Sequence, residues 1–179
     1  PNTSVNTIAF NIGLNYDLGS KEIMPEYLPE EVFISEGLTI NLVFRSGLNQ
    51  ISVVGGSQFP FYTFSVYADK RFNFFSAFQF GFEASFSQAL KEEIYFRSVA
   101  FPETTSDSNA DYRRIGTFLG YELFINNLSA FAQLGYYIYY PYDFEGRLYN
   151  RIGLKYYFEG QWFGAVSYTH LTLPTKCSV

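Results

Sequence analysis

The residues best suited to chemistry stand near the end of the chain. His170, the only histidine, lies in VSYTHLTLPT with Ser167, Thr169 and Thr172 around it and Cys177 soon after. An imidazole near a hydroxyl is the core of nucleophilic acyl transfer: histidine takes the proton of the attacking oxygen while a carboxylate orients the ring. That third group is missing downstream, because no Glu or Asp follows His170. Pro174 is also a poor member of a closing strand, since it has no N–H to give to a ladder.

A second set of ionisable residues, Glu83, Arg114, Glu122, Arg147, Arg151 and Lys155, is spread along the chain. Asp143 and Glu145 in PYDFEGR form a further carboxylate pair, read as loop residues that hold Arg147, because a catalytic pair needs a second positioned group. Whether any of these side chains meet depends on the elements that carry them.

Those elements are strands. In RFNFFSAFQFGFEASF, Phe72, Phe74, Phe78, Phe80, Phe82, Ala84 and Phe86 share one parity, and Asn73, Gln79, Gly81, Glu83 and Ser85 the other. A period of two sustained over this length predicts a single strand with one oily and one polar or small face. The same sorting recurs over Ile8–Asp17, Leu38–Arg45, Arg114–Ile125, Leu128–Ile138 and Arg147–Phe158, and in shorter runs near Ile51–Gly55 and Tyr62–Asp69. Connections at SGLNQ, DKR, Asn126–Asn127 and Glu159–Gly160 read as tight, and those around SKEIMPEYLPEEVF, GSQFP, SQALKEEIYFRSVAFPETTSDSNA and PYDFEG as longer. Short and long connections in alternation, with strands near ten residues, are the pattern of an outer-membrane barrel.

Composition agrees with a membrane setting. Aromatic residues make up 21% of 179 residues and charged residues only 16%, too aromatic for disorder and poor in charge for a soluble domain. The net charge of -5 and the absence of a basic run argue against nucleic acid as a partner. No run of roughly 18 apolar residues predicts a membrane helix, and no signal peptide is visible at PNTSVNTIAF. The lone Cys177 has no partner for an internal disulfide.

Which face is wet separates a membrane barrel from a lipocalin-like soluble one. The polar parity carries Gly13, Gly81, Gly116, Gly120, Gly135 and Gly153, whose lack of bulk suits a crowded lumen, while the oily parity is nearly free of charge. Tyr136–Tyr140 and Tyr156–Tyr157 resemble interfacial aromatic girdles. The six ionisable residues Glu83, Arg114, Glu122, Arg147, Arg151 and Lys155 are then a lumen polar cluster. It reads as a charge-paired plug in a narrow barrel, with substrate binding as the alternative.

INNLSAFAQLGYYIYYPYDFEGRLYNRIGLKYYFEGQWFGAVS resembles the outer-membrane lipid A 3-O-deacylase (PagL-like, acyloxyacyl hydrolase) family of Bacteroidetes type. The likeness rests on Asn126, Gln133–Tyr137, Tyr140–Gly146 and Tyr149–Phe158 and is vague before Tyr112. It implies a small barrel in the bacterial outer membrane that hydrolyses an ester-linked acyl chain of lipopolysaccharide lipid A without a cofactor. In that family a histidine activates a serine and a glutamate orients the histidine, on strands that follow the matched segment. The alternative is a non-enzymatic outer-membrane barrel serving structure, adhesion or a narrow pore. A soluble lipid carrier is a third reading.

Thr169 and His170 look like the Thr-His of that family, yet VSYTHLTLPT also reads, codon by codon, as a translated transposase-type sequencing adapter. On that reading residues 1–165 are the barrel fragment, residues 166–179 are an adapter-derived tail, and the catalytic residues are unknown because His170 lies in the tail. The expectation is therefore an all-β, antiparallel up-and-down transmembrane barrel of about 8–10 strands. About nine strands can be counted, and the barrel would be truncated, incompletely closed between its first and last strands, poorly folding and inactive.

Overall fold

The computed structural model describes residues 6–18, 37–50, 58–100, 111–142 and 146–172. Among the described residues, alternation of apolar and polar side chains produces eight strands: β1 (Asn6–Asp17), β2 (Leu38–Gln50), β3 (Gln58–Asn73), β4 (Ser76–Ser87), β5 (Arg113–Ile125), β6 (Leu128–Tyr139), β7 (Leu148–Tyr157) and β8 (Trp162–Thr172). One helix, α1 (Gln88–Ala100), follows β4 directly. The strands pair antiparallel in chain order, and β8 returns to β1 to close an up-and-down barrel.

The expected open seam is not found. β1 and β8 are in register from Asn6↔His170 to Leu14↔Trp162. The closing strand alternates as its neighbours do, with Phe163, Ser167 and Thr169 turned inward and Val166 and Tyr168 exposed. β8 thus runs unbroken across the boundary between residues 165 and 166, and Pro174 lies outside the described residues.

Two connections also fall elsewhere than the sequence suggested. The run RFNFFSAFQFGFEASF is a hairpin rather than one strand, turning at Phe74–Phe75, and DKR belongs to β3. Its alternation survives the turn because Tyr62 faces Phe86 and Phe64 faces Ala84, so the outward parity of β3 is also that of β4. SGLNQ is likewise part of β2: Gly47 lies close against the Phe61 ring and the Ile8 carbonyl, and Asn49 accepts a hydrogen bond from Thr7 Oγ1 at 2.7 Å. The strand expected near Ile51–Gly55 lies outside the described residues.

With those shifts, the turns at Phe74–Phe75, Asn126–Asn127 and residues 158–161 all emerge at one end of the barrel, the turn end. The turn residues Asn126 (φ 57°) and Gly160 (φ 98°) take left-handed backbone, which Asn tolerates and Gly favours. Residues 18–37 also connect strands at the turn end, so short and long connections do not alternate over the whole chain. The opposite end carries α1 and is called the helix end.

The register is fixed inside the barrel by glycine facing aromatic. Gly13 stands opposite Phe163, Gly47 opposite Phe61, Gly81 opposite Tyr67, Gly116 opposite Tyr137, Gly135 opposite Tyr149 and Gly153 opposite Phe131. At each, the facing aromatic residue lies within contact distance of where a Cβ on the glycine would sit. The interior of an eight-stranded barrel is just wide enough for side chains to fill. Placing a ring across from a missing side chain fills that space without overpacking.

The inward rings gather near the two ends. Phe124, Tyr157 and Phe163 meet at the turn end, with Tyr157 between the other two at 5.8 and 5.6 Å. Tyr137, Tyr140 and Tyr149 meet at the helix end, where Leu90 and Ile94 of α1 join the same buried cluster. The tyrosines read as a girdle are therefore divided. Tyr136, Tyr139 and Tyr156 face outward, whereas Tyr137 and Tyr140 are buried and Tyr157 is half-buried. Outside, the barrel is almost wholly apolar, with Ile8, Phe10, Phe64, Phe80, Leu119 and Ile152 each at least half exposed.

Candidate functional site

Inward polar parity brings side chains from all eight strands into one hydrogen-bonded lumen. Near the turn end, Glu122 of β5 binds Lys155 Nζ of β7 at 2.5 Å and Tyr157 OH at 2.8 Å, and accepts short hydrogen bonds from Gln79 and Ser129. Lys155 Nζ also donates to Tyr67 OH of β3 at 2.8 Å and lies 5.0 Å from the Phe163 ring centre. Nearer the middle, Glu83 of β4 sits between two guanidinium groups: Arg151 Nη1 is 3.0 Å from Oε2 and Arg45 Nη1 3.3 Å from the same oxygen.

Amides join the two ion clusters. Gln133 Nε2 donates to Gln79 Oε1 at 2.8 Å, and Arg151 Nη1 donates to Gln133 Oε1 at 3.0 Å. The seam strands are tied in at the other side. Arg45 Nε donates to Asn11 Oδ1 of β1, whose Nδ2 donates to Ser167 Oγ of β8 at 3.1 Å, and Arg151 Nε donates to Thr169 Oγ1 at 3.1 Å. Buried charges need partners of opposite sign and donors for their remaining lone pairs, and this arrangement supplies both.

Of the six residues expected to form a lumen cluster, the structure places Glu83 with Arg151 and Glu122 with Lys155. Arg114 is buried apart from them at the helix end, its guanidinium 5.3 and 5.1 Å from the Tyr137 and Tyr140 ring centres. Arg147 is exposed and precedes β7, so its expected place in the lumen is corrected. It lies one residue before the strand pairing begins at Leu148, where alternation no longer sets direction. Asp143 and Glu145, read as its partners, lie outside the described residues.

Sequence reasoning missed Arg45 and the bridging amides Asn11, Gln79 and Gln133. The signal was there, since each has the inward parity of its strand, but an amide carries no charge to draw attention to it. Among the described residues the buried cations are Arg45, Arg114, Arg151 and Lys155, and the buried anions are Asp69, Glu83, Glu93 and Glu122. Their charges cancel. The lumen thus has the features of a polar core: filled, neutral and lined at both ends by rings.

Two places on the exterior bear on the chemistry. On β8, His170 has the outward parity and pairs with Asn150, an exposed polar residue on the oily face of β7. Ser167 and Thr169, its neighbours in sequence, turn to the lumen, where Asn11 and Arg151 hold them. Alternation therefore separates the imidazole from both hydroxyls. The second place is a shallow apolar trough of about 620 Å³ on the outer wall, where the small Ala130 and Ala132 lie between Leu123, Ile152, Leu154 and Tyr168.

Comparison with known proteins adds one match. A protein-family model described as acyloxyacyl hydrolase, C-terminal domain, matches residues 38–172. Neither a curated protein nor a solved structure matches the chain.

Proposed function

The chain belongs to the acyloxyacyl hydrolase family, and on that premise we propose that it is the barrel of a bacterial outer-membrane lipid A deacylase. Its reaction is hydrolysis of an ester-linked acyl chain of lipopolysaccharide. The observation that carries this reading is the division between a filled lumen and an apolar outer wall. With the interior occupied by paired charges and rings, a lipid ester is met on the outside. There the acyl chain stays in an apolar medium and only the ester needs to reach the polar groups of the enzyme. The trough over Ala130 and Ala132 offers such a chain an apolar bed on the outer wall.

The chemistry expected of the family is attack by a serine oxygen on the ester carbonyl. A histidine takes the serine proton and returns it to the leaving alcohol, and a carboxylate holds the imidazole. In this chain residues 166–179 are read as an adapter-derived tail, and on that reading His170 is not the family's histidine. The family match runs into that tail as far as residue 172. Sequencing the source gene across the codons for Ala165–Val179 decides the matter. A natural gene that encodes His170 and runs on to a carboxylate-bearing strand overturns the adapter reading.

The activity is tested with the full-length gene expressed in an outer membrane whose lipid A is then weighed by mass spectrometry. Loss of one acyl chain is expected, and unchanged lipid A sinks the enzymatic reading in favour of a structural or adhesion barrel. The narrow-pore version of that alternative has little support, because the inward rings and the eight-strand polar network leave the lumen filled.

A further inference from the structure

The helix α1 has two apolar faces, and only one of them is used by the barrel. Ala89, Leu90 and Ile94 are buried, the last two against the ring cluster at the helix end. Tyr95, Phe96 and Val99, at 64, 62 and 66% exposure, lie on the other side of the helix. At 100° per residue these three positions fall within about 100° of one another, opposite the Leu90–Ile94 face. Glu92 is exposed on this same face one turn nearer the N-terminus, and the three apolar side chains follow it.

The position of α1 is set by its neighbours. It begins directly after β4, where Ser87 Oγ accepts a hydrogen bond from the Leu90 N–H at 3.4 Å. Lys91 Nζ lies 6.0 Å from the ring centre of Tyr112, the residue before β5. The helix therefore leaves the wall at the end of β4 and packs beside β3, one face toward the barrel's ring cluster and the other turned away from it. Toward that end the wall carries the exposed, outward Tyr62 and Phe64 of β3, which pair with Phe86 and Ala84 of β4, and the exposed Ile115 of β5. The apolar outer wall thus continues past the strand end onto Tyr95, Phe96 and Val99. Lys91 and Glu92 are exposed beside them.

We propose that α1 is an interfacial anchor, whose Tyr95, Phe96 and Val99 insert into the headgroup boundary of the bilayer beside β3. The occupant of this face is a lipid surface. Two aromatic side chains on an amphipathic helix, at the level where an apolar barrel wall ends, match the chemistry of that boundary. The consequence is a fixed depth and tilt: the helix holds the helix end of the barrel at the interface, so that the outer wall presents its trough at a constant height. This rests on the reading of the chain as a membrane barrel.

The sole tryptophan, Trp162, is half exposed at the turn end of β8 and serves as an internal reference. The full chain is refolded into phosphatidylcholine vesicles carrying lipids brominated either near the headgroup or deep in the acyl chains. Quenching of wild-type Trp162 by bromolipid reports insertion of the barrel. If it is not quenched, the membrane reading falls and the anchor with it. In the Trp162→Phe background, Phe96→Trp is expected to be quenched by the shallow bromolipid, with at least twofold protection from aqueous iodide relative to the free indole. Val99→Trp should behave the same way, which guards against one variant failing to fold. Quenching by iodide at the free-indole rate, with no response to bromolipid at either position, overturns the anchor while leaving the barrel reading intact.

Discussion

Gly135 on β6 and Tyr149 on β7 are direct cross-strand partners, and the fully buried tyrosine ring occupies the space that a Cβ on Gly135 would take. The pair sets the register of the two strands more tightly than backbone hydrogen bonds alone, because a slip of one residue would turn the ring out of the lumen onto the outer face. Gly135→Ala is expected to destabilise the folded barrel by about 1–3 kcal/mol through overpacking, and Tyr149→Ala by about 3–5 kcal/mol through the void it leaves. The double variant should cost less than the sum of the two, since removal of the ring makes room for the methyl. Urea titration of the refolded barrel, followed by its heat-dependent gel mobility, measures all three. Additive costs would mean that the two residues do not share one space.

The ion cluster at Glu83 makes a second demand. Glu83→Gln leaves Arg45 and Arg151 facing each other in the lumen without their shared carboxylate. Removing one partner of a buried charge set costs roughly 3–5 kcal/mol. Replacing all three with Met and Leu of similar volume should recover most of that loss in the same urea titration. A Glu83→Gln barrel as stable as the wild type would show that the cluster is solvated.

Position along the barrel axis distinguishes lipid from water outside. Leu119, at 65% exposure in the middle of β5, faces the same way as Leu128, which starts β6 at the turn end. In a bilayer Leu119→Arg should cost about 2–4 kcal/mol and Leu128→Arg about 0–1 kcal/mol. In a water-soluble barrel neither would cost appreciably. Folding yields and unfolding midpoints in vesicles report the difference, and equal tolerance at both sites contradicts a membrane-facing wall.

The filled lumen makes a prediction about conductance. Glu122 and Lys155 sit between inward rings at the turn end and inward rings capped by α1 at the helix end. The barrel inserted into a planar bilayer is expected to give no steady unit conductance. Discrete, reproducible current steps from the wild-type chain would refute the packing described here.

Much of this was legible in the sequence, and the reason is the strictness of the strand period. Of the six glycines named from parity, Gly13, Gly81, Gly116, Gly135 and Gly153 face an inward ring from a neighbouring strand and Gly120 faces the Gln133 side chain, while Glu83, Glu122, Arg151 and Lys155 all point inward. What parity could not show was where a strand turns. Across Phe74–Phe75 the pairing joins outward residues to outward residues, so the alternation passes through the hairpin without a mark. Gly47 misled in the opposite sense, because a glycine needed for the approach of Phe61 looks the same in sequence as one needed for a turn.

The sequence by itself therefore determined the class of fold and the face each side chain would take, since both follow from a two-residue repeat that is local. The partners were decided only by the tertiary structure. That Glu83 meets Arg45 and Arg151 while Glu122 meets Lys155, and that β8 meets β1, depends on the stagger of eight strands around a closed circumference. No local pattern encodes that stagger. It emerges when rings fill the glycine gaps and buried charges find counter-charges at the same time. The same geometry separated His170 from Ser167 and Thr169, three residues that the sequence had set side by side.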